Sequence, residues 1–508
     1  MSASTFSERP MRRIGQLPFL VILTGVAGLS MLAPMALAVR LDDYFTARVF
    51  LQSGLLILVL TGLIAVASVN HRPRNDARRY LVALFQAFLL LPFPLALPLV
   101  FLIPEAGFFA LWFEMLSSLT TTGATLFDRP TLLSEPIHLW RALVAWMGGL
   151  LMLVCAVAIL APLNLGGFEI GQGDGRRGAG GAARVTLDMS DRLVATLMRL
   201  GPVYLGVTAL LALALLLAGE RSFHAVVLAM STLSTSGITG EAAGDGIGSG
   251  VVGEMLIFLF LIFAVTRASF TPGGLRALGR DHEFRLMAAF VIALPAFLFL
   301  RHWIGAYGSA AQNDLSAALS ALWGAVFTTL SFLTTTGFVS LDWQAAENWS
   351  GLPAPQIVLI GLSVIGGGVA TTAGGVKLLR IYALFKHGQR ELQRLSFPHS
   401  VAGAGTRARR IRREGAYLAW MFFMLFAIST AVLLQALTLT GLSFEEAMAF
   451  AVSALSTTGP LAAAVLETGR DYADLNDAAL ALLGGAMVLG RLETLAIVAL
   501  FNPDFWRA

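Results

Sequence analysis

The sequence predicts an all-α polytopic membrane protein. Its core is four helix–re-entrant pore loop–helix repeats in pseudo-fourfold arrangement, with two extra N-terminal transmembrane helices. Three observations carry this. The 508 residues are 56% hydrophobic and only 13% charged, against about 25% charged in soluble domains. Apolar runs long enough to span a bilayer recur along the whole chain, with a mean hydropathy of +0.75. A seven-residue hydroxyl-and-glycine motif appears four times.

Composition excludes most function classes. A charge deficit this large rules out an ordinary soluble enzyme and a disordered chain. The long unbroken apolar runs rule out outer-membrane strands, whose pattern alternates. The single cysteine, Cys155, permits neither an intrachain disulfide nor a cysteine metal site, and the 7 histidines show no HExxH-type spacing. The net charge of +4 is too weak for a nucleic-acid binder; the apolar composition implies membrane lipid as the partner.

A helical span needs about 20 apolar residues. Suitable runs lie near 14–38, 48–68, 80–103, 138–165, 192–218, 251–270, 284–300, 353–386, 416–440 and 476–501, about ten spans in all. The first follows Arg12 and Arg13 and ends in a cleavage-like Ala36-Leu37-Ala38. It is about twice the length of a signal-peptide core, so it reads as a retained span.

Arginine and lysine mark the cytoplasmic side. They cluster at Arg72, Arg74, Arg78 and Arg79, at Arg176, Arg177, Arg184 and Arg192, and at Arg276, Arg280 and Arg285. The most basic segment is 377–413, from Lys377 and Arg380 to Arg409, Arg410, Arg412 and Arg413. These clusters read as topological anchors, with a cytosolic docking surface as the competing reading for 377–413. Placing them all inside puts both termini in the cytoplasm. The organisation is then 1–70 for the N-terminal pair of helices, with repeats at 71–176, 177–275, 276–400 and 401–508.

Between spans lie shorter apolar segments, 107–122, 222–236, 315–336 and 443–458, on the outer side of this topology. Ser222, Asp314 and Ser443 are candidate N-caps. Each segment ends in the motif: Ser117 to Gly123, Ser231 to Gly237, Ser331 to Gly337 and Ser453 to Gly459, all Ser-x-Leu-[Ser/Thr]-Thr-[Ser/Thr]-Gly. Small residues packing helices together would explain one cluster, not four in register. Irregular backbone at membrane depth must line a cavity or be buried in protein. Four such loops around one axis could replace the water of a dehydrated K+ with backbone oxygens. Glycine would supply the positive φ that turns carbonyls inward. The helix C-termini would point a partial negative charge at the ion. The candidate ion-binding residues are Thr121, Thr122, Gly123 and Ala124; Thr235, Ser236, Gly237 and Ile238; Thr335, Thr336, Gly337 and Phe338; and Thr457, Thr458, Gly459 and Pro460.

A second feature lies inside the run 353–386. Gly366, Gly367, Gly368, Gly374 and Gly375 surround Thr371 and Thr372, and glycine is a poor helix former. A break in the membrane is expected here, either as a loop that closes the pore or as a close helix crossing. Arg491 lies in the last run, where a charge must face a cavity or a partner. It either repels cations below the motif or pairs with a carboxylate. Glu493 is a poor partner on a helix, being two residues away. Asp128 and Asp342 follow motifs one and three, as an acidic vestibule or as ordinary solvated loop.

These residues resemble the Trk/Ktr/HKT superfamily of potassium transporters, most closely its bacterial TrkH branch, over nearly the whole chain. Thr120 to Thr125 is similar to the family's first filter. Trp140-Arg141 through Trp146-Met147-Gly148-Gly149 resembles the helix after it. Asp281 to Arg285, Ala373-Gly374-Gly375-Val376-Lys377 and Gly490-Arg491-Leu492-Glu493 resemble three further family elements. Leu461 after Gly459-Pro460, and Arg267 in place of a glycine pair, depart from the pattern. The resemblance implies a K+-selective, channel-like uptake protein of the bacterial inner membrane. It also implies gating by the 366–377 segment with Arg491, a homodimer, and a cytosolic TrkA-like nucleotide-binding regulatory subunit. No nucleotide motif occurs in this chain. The competing function is a K+ symporter coupled to Na+ or H+, which needs buried carboxylates; Glu254 and Glu493 are the visible ones. An integral membrane enzyme would need a His, Asp or Glu cluster at membrane depth, which no spacing supplies.

Overall fold

The computed structural model describes residues 17–68, 77–127, 133–162, 189–240, 247–266, 278–305, 315–351, 354–396, 406–466 and 469–493. Regular structure in these residues is helical. Among the described residues, seven helical stretches are long and apolar enough to cross a membrane: 19–40, 44–68, 79–102, 135–160, 189–217, 282–301 and 415–438.

The N-terminal span is helix α1 (Phe19–Ser30) followed by α2 (Leu32–Arg40), and it packs on α3 (Tyr44–Ser68). Its interruption has a cause: Pro34 has no N–H to offer Ser30. Prolines likewise divide the next span into α4 (Ala77–Leu90) and α5 (Pro92–Leu102). Leu55, Leu56, Val59, Leu60 and Leu63 on α3 are exposed, as lipid-facing side chains are.

The four repeats follow. The first has the short helix α6 (Phe108–Leu119) and then α7 (Glu135–Cys155), which ends in a π-helical turn, Ala156–Leu160. The second has α8 (Met189–Leu217), short α9 (Ser222–Ser234) and α10 (Gly250–Val265). The third has α11 (His282–Gly305), short α12 (Leu315–Leu333), α13 (Trp343–Ser350) and α14 (Gln356–Ile365), with α15 (Leu378–Ser396) after a break. The fourth has α16 (Thr406–Thr438), short α17 (Phe444–Ser456), α18 (Leu461–Val465) and α19 (Asp477–Leu492).

The repeats form a ring. The closing helix of each packs on the short helix of the next: α7 on α9, α10 on α12, α14 on α17, and α19 back on α6. Glycines permit the closest approaches. Gly148 leaves room for the Leu119 carbonyl, and Gly490 does the same for Leu455. Trp140, fully buried, anchors α7 by donating its indole N–H to Leu95 O at 3.0 Å.

Three expected spans are shorter helices. The run 251–270 is helical only to Val265, where Thr266 turns extended. The run 353–386 breaks at Gly366, as its glycines require. The run 476–501 is helical to Leu492, and Glu493 takes φ 64°. One cap assignment holds and one changes. Ser443 is an N-cap as expected, in a reciprocal box with Glu446. Ser222 is instead the first helical residue, with Arg221 at the cap position. Asp314, Asp128, Arg267 and the arginines at 12, 13, 72, 74, 176, 177, 184 and 276 lie outside the described residues.

Candidate functional site

The motif spells out one backbone device four times. Its sixth residue donates N–H to the carbonyl of its first: Thr122 to Ser117 at 2.9 Å, Ser236 to Ser231 at 3.0 Å, Thr336 to Ser331 at 2.9 Å and Thr458 to Ser453 at 2.9 Å. Its fifth donates to its second: Thr121 to Ser118, Thr235 to Thr232, Thr335 to Phe332 and Thr457 to Ala454. That pair of bonds is a Schellman cap, whose fifth position is left-handed and usually glycine. Here it is threonine, with φ of 56°, 55°, 57° and 55° at Thr121, Thr235, Thr335 and Thr457. A β-branched residue in that region is a genuine outlier, and this outlier occurs four times at equivalent positions.

The hydroxyls are equally regular. The fourth residue donates back to the helix: Thr120 to Leu116 O, Ser234 to Met230 O, Thr334 to Leu330 O and Ser456 to Val452 O. It also meets the hydroxyl of the sixth at 2.9–3.1 Å. At Thr121 and Thr457 the fifth residue's hydroxyl is buried without a partner among the described residues. Buried unpaired oxygens are costly, and here they belong to the strained residues themselves.

The four loops meet in cyclic order. A Cβ on Gly123 would overlap Ser236 O, and one on Gly237 would overlap Thr336 O. One on Gly337 would touch the Pro460 ring at 3.0 Å, and one on Gly459 would overlap Ala124 N. Each loop therefore abuts the next, and the fourth abuts the first.

Two expectations need correction. Positive φ occurs at Gly123 (74°), Gly237 (66°) and Gly337 (83°), but Gly459 is not among the positive-φ residues. Pro460, which follows it, caps α18. The backbone oxygens also do not form a ring free of protein donors. Thr122 O accepts from Gly459 N–H at 2.6 Å. Ala124 O accepts from Ser117 Oγ at 2.7 Å, Thr458 O from Ser453 Oγ at 2.8 Å, and Gly459 O from the Tyr472 hydroxyl at 3.0 Å. A cation held by the Thr122 carbonyl here would share it with Gly459 N–H or displace that donor. Ile238 and Phe338 are buried behind their glycines.

The glycine-rich segment lies directly against these loops. Gly374 donates N–H to Thr335 Oγ1 at 2.7 Å, and a Cβ there would overlap Ser456 O and Thr457 Oγ1. The segment doubles back on itself: Val376, Lys377 and Leu378 donate N–H to Val364 O, Ile365 O and Gly367 O, each at 2.9 Å. Gly366 (φ 72°) and Gly375 (φ 74°) make that approach feasible. Thr371 Oγ1 closes a turn on Gly368 O, and Gly368 packs on Val265 O. Glu283, from the Asp281 to Arg285 element, accepts Val369 N–H at 2.8 Å.

Arg491 is buried and donates from Nη1 to Thr372 O at 2.5 Å, while Nε and Nη2 have no partner among the described residues. Its charge therefore sits against the segment, unpaired by any carboxylate of the described residues. Glu493 binds Arg380 instead, at 2.6 Å, and Arg380 also stacks on Phe422. This corrects the reading of Lys377 and Arg380 as cytoplasmic anchors. Both are buried, and Lys377 donates from Nζ to Ala373 O.

Sequence reasoning missed two buried polar groups behind the loops, a carboxylate and a phenol. Glu114 pairs with Arg141 at 2.6 Å and accepts Leu126 N–H at 2.9 Å. Tyr472 backs the fourth loop through Ser453 at 2.6 Å. An acid within an apolar run was the available signal for Glu114. Nothing marked Tyr472.

Comparison with known proteins follows the same lines. A family model for the TrkH cation transport proteins matches residues 276–507. The Trk system potassium uptake protein TrkH of Salmonella typhimurium is 31% identical over 418 residues, 81% of this chain and 82% of the relative. The Trk system potassium uptake protein TrkG of Escherichia coli is 28% identical over 405 residues, 78% of each. The crystal structure of the potassium transporter TrkH from Vibrio parahaemolyticus superposes with a TM-score of 0.77 at 26% identity, covering 97% of this chain and 99% of that one.

Proposed function

The chain belongs to the TrkH family of cation transport proteins, and from that premise we propose that it is a K+-selective, channel-like uptake protein of the bacterial inner membrane. The observation that carries the reading is the cyclic meeting of four identical strained caps. The relatives' names as potassium uptake proteins agree with it. K+ passes along the axis between the loops, attended by the oxygens of Thr121–Ala124, Thr235–Ile238, Thr335–Phe338 and Thr457–Pro460. Four helix C-termini aim their negative ends at the same place, and the negative-inside potential drives entry.

The gate is the segment 366–377. It lies against Thr335 and Thr457 and is held at Thr372 by Arg491. Opening requires that segment to move away from the caps. Both termini face the cytoplasm. The protein acts as a homodimer with a cytosolic nucleotide-binding subunit; the relatives belong to a named Trk system, and a system implies further components.

Coupled symport is the weaker reading, because its candidate carboxylates are engaged. Glu254 accepts three hydrogen bonds and Glu493 is paired with Arg380. The test is rubidium uptake into proteoliposomes under a K+ gradient, with and without an imposed Na+ or H+ gradient. Uptake is expected from the K+ gradient alone. A strict requirement for the second gradient would replace channel-like uptake with symport.

A further inference from the structure

Glu254 is completely buried on α10, in the second repeat, yet all its hydrogen bonds go to the third. Its Oε2 accepts from Trp323 Nε1 at 2.7 Å and from Ser340 Oγ at 2.8 Å, and its Oε1 accepts Leu341 N–H at 2.8 Å. Trp323 is on the short helix α12, ahead of the third motif. Ser340 and Leu341 are on the irregular segment that leaves it, just after Gly337. One carboxyl group thus joins the helix before the candidate filter to the segment after it.

Comparison with the first repeat sets this carboxyl in context. In the first repeat Glu114, nine residues before Gly123, accepts the N–H of Leu126, three residues after it. In the third repeat the corresponding pair is Thr328 and Ser340, nine before and three after Gly337. Ser340 N–H does reach Thr328 Oγ1, but at 3.3 Å. A hydroxyl stands where the first repeat has a carboxylate, and its bond is long. The second and fourth repeats carry Leu228 and Phe450 at this position. Glu254 returns the missing acid to the third repeat from its neighbour.

We propose that Glu254 is a specificity-determining positioning residue, fixing the outer end of the third loop so that its oxygens hold the spacing K+ requires. It touches no part of the candidate ion path among the described residues and acts through Ser340, Leu341 and Trp323. Glutamine at this position keeps one acceptor but turns the other into a donor that faces donors. Bonds to a charged group are the stronger class, and the loop would be released toward other geometries.

The inference rests on the K+-selective reading, so wild-type protein is measured first. Bi-ionic reversal potentials in planar bilayers give the K+/Na+ permeability ratio for wild type, Glu254→Gln and Ser340→Ala, each checked for a monodisperse size-exclusion peak. Glu254→Gln is expected to lower the ratio about tenfold, equivalent to about 1.4 kcal/mol, and Ser340→Ala by a smaller factor in the same direction. An unselective wild type would overturn the functional reading itself. A selective wild type with an unchanged ratio in Glu254→Gln, even at reduced current, would overturn the role given to Glu254. If Glu254→Gln does not fold, Ser340→Ala decides: a lowered ratio supports the role, and an unchanged one overturns it.

Discussion

Left-handed backbone costs an L-residue about 1–2 kcal/mol, and four threonines here accept that cost at equivalent positions. Glycine would fill a Schellman cap without strain, so the threonines bring something glycine cannot: a hydroxyl held at a fixed place. At Thr457 that hydroxyl has no partner among the described residues. Thr457→Gly is therefore expected to stabilise the fold by about 1 kcal/mol through relief of strain, while K+/Na+ selectivity falls. Thermal unfolding in detergent, set beside reversal potentials, checks both halves. A stability gain with unchanged selectivity would leave the hydroxyl outside the ion path. Gly123 presents the opposite case, with φ 74° and no room for a Cβ beside Ser236 O. Gly123→Ser forces the two loops apart and strains the backbone by about 1–3 kcal/mol. The expected result is a fall in the K+/Na+ ratio of roughly tenfold, read from bi-ionic potentials.

Among the elements, the segment 366–377 and the last helix act on each other. Arg491 projects from α19 and grips Thr372 O, while Arg380, just beyond the segment, grips Glu493 at the helix end. The segment is thus tied at two points to one helix. A guanidinium stays charged; about 6 Å from a K+, at an effective dielectric near 20, it repels the ion by roughly 3 kcal/mol. Arg491→Ala removes both the tie and the repulsion, and basal K+ flux is expected to rise, by up to about a hundredfold. Arg491→Lys keeps the charge and should retain most of the restriction. Flux per folded protein separates these outcomes. A fall in flux with poor folding for the alanine variant would mark Arg491 as purely structural. The glycine break was legible in the sequence because five glycines in twelve residues cannot sustain a helix. The two ties were not. Arg380 lies in the most basic stretch of the chain and reads as an anchor, and its partner is 113 residues away.

At the scale of the molecule, the ring of repeats was legible because a repeat declares itself within one sequence. The motif's hydroxyls located the loops, and the positive φ expected at the glycines is present at three of them, but the left-handed turn two residues earlier was not foreseen. Threonine hid it, since composition argues against threonine in that conformation. Also hidden was the unevenness of the ring. Glu114 backs the first loop, Glu254 the third from the second repeat, and Tyr472 the fourth. The Glu254 contact joins residues 87 positions apart, and no local pattern encodes it. The central claim is that the four caps surround one cation path. Its most direct measurement is anomalous scattering from crystals grown in rubidium. The expected result is density on the axis between Thr121, Thr235, Thr335 and Thr457 and the backbone oxygens that follow them. Ordered rubidium elsewhere in the protein, with none on that axis, would contradict it.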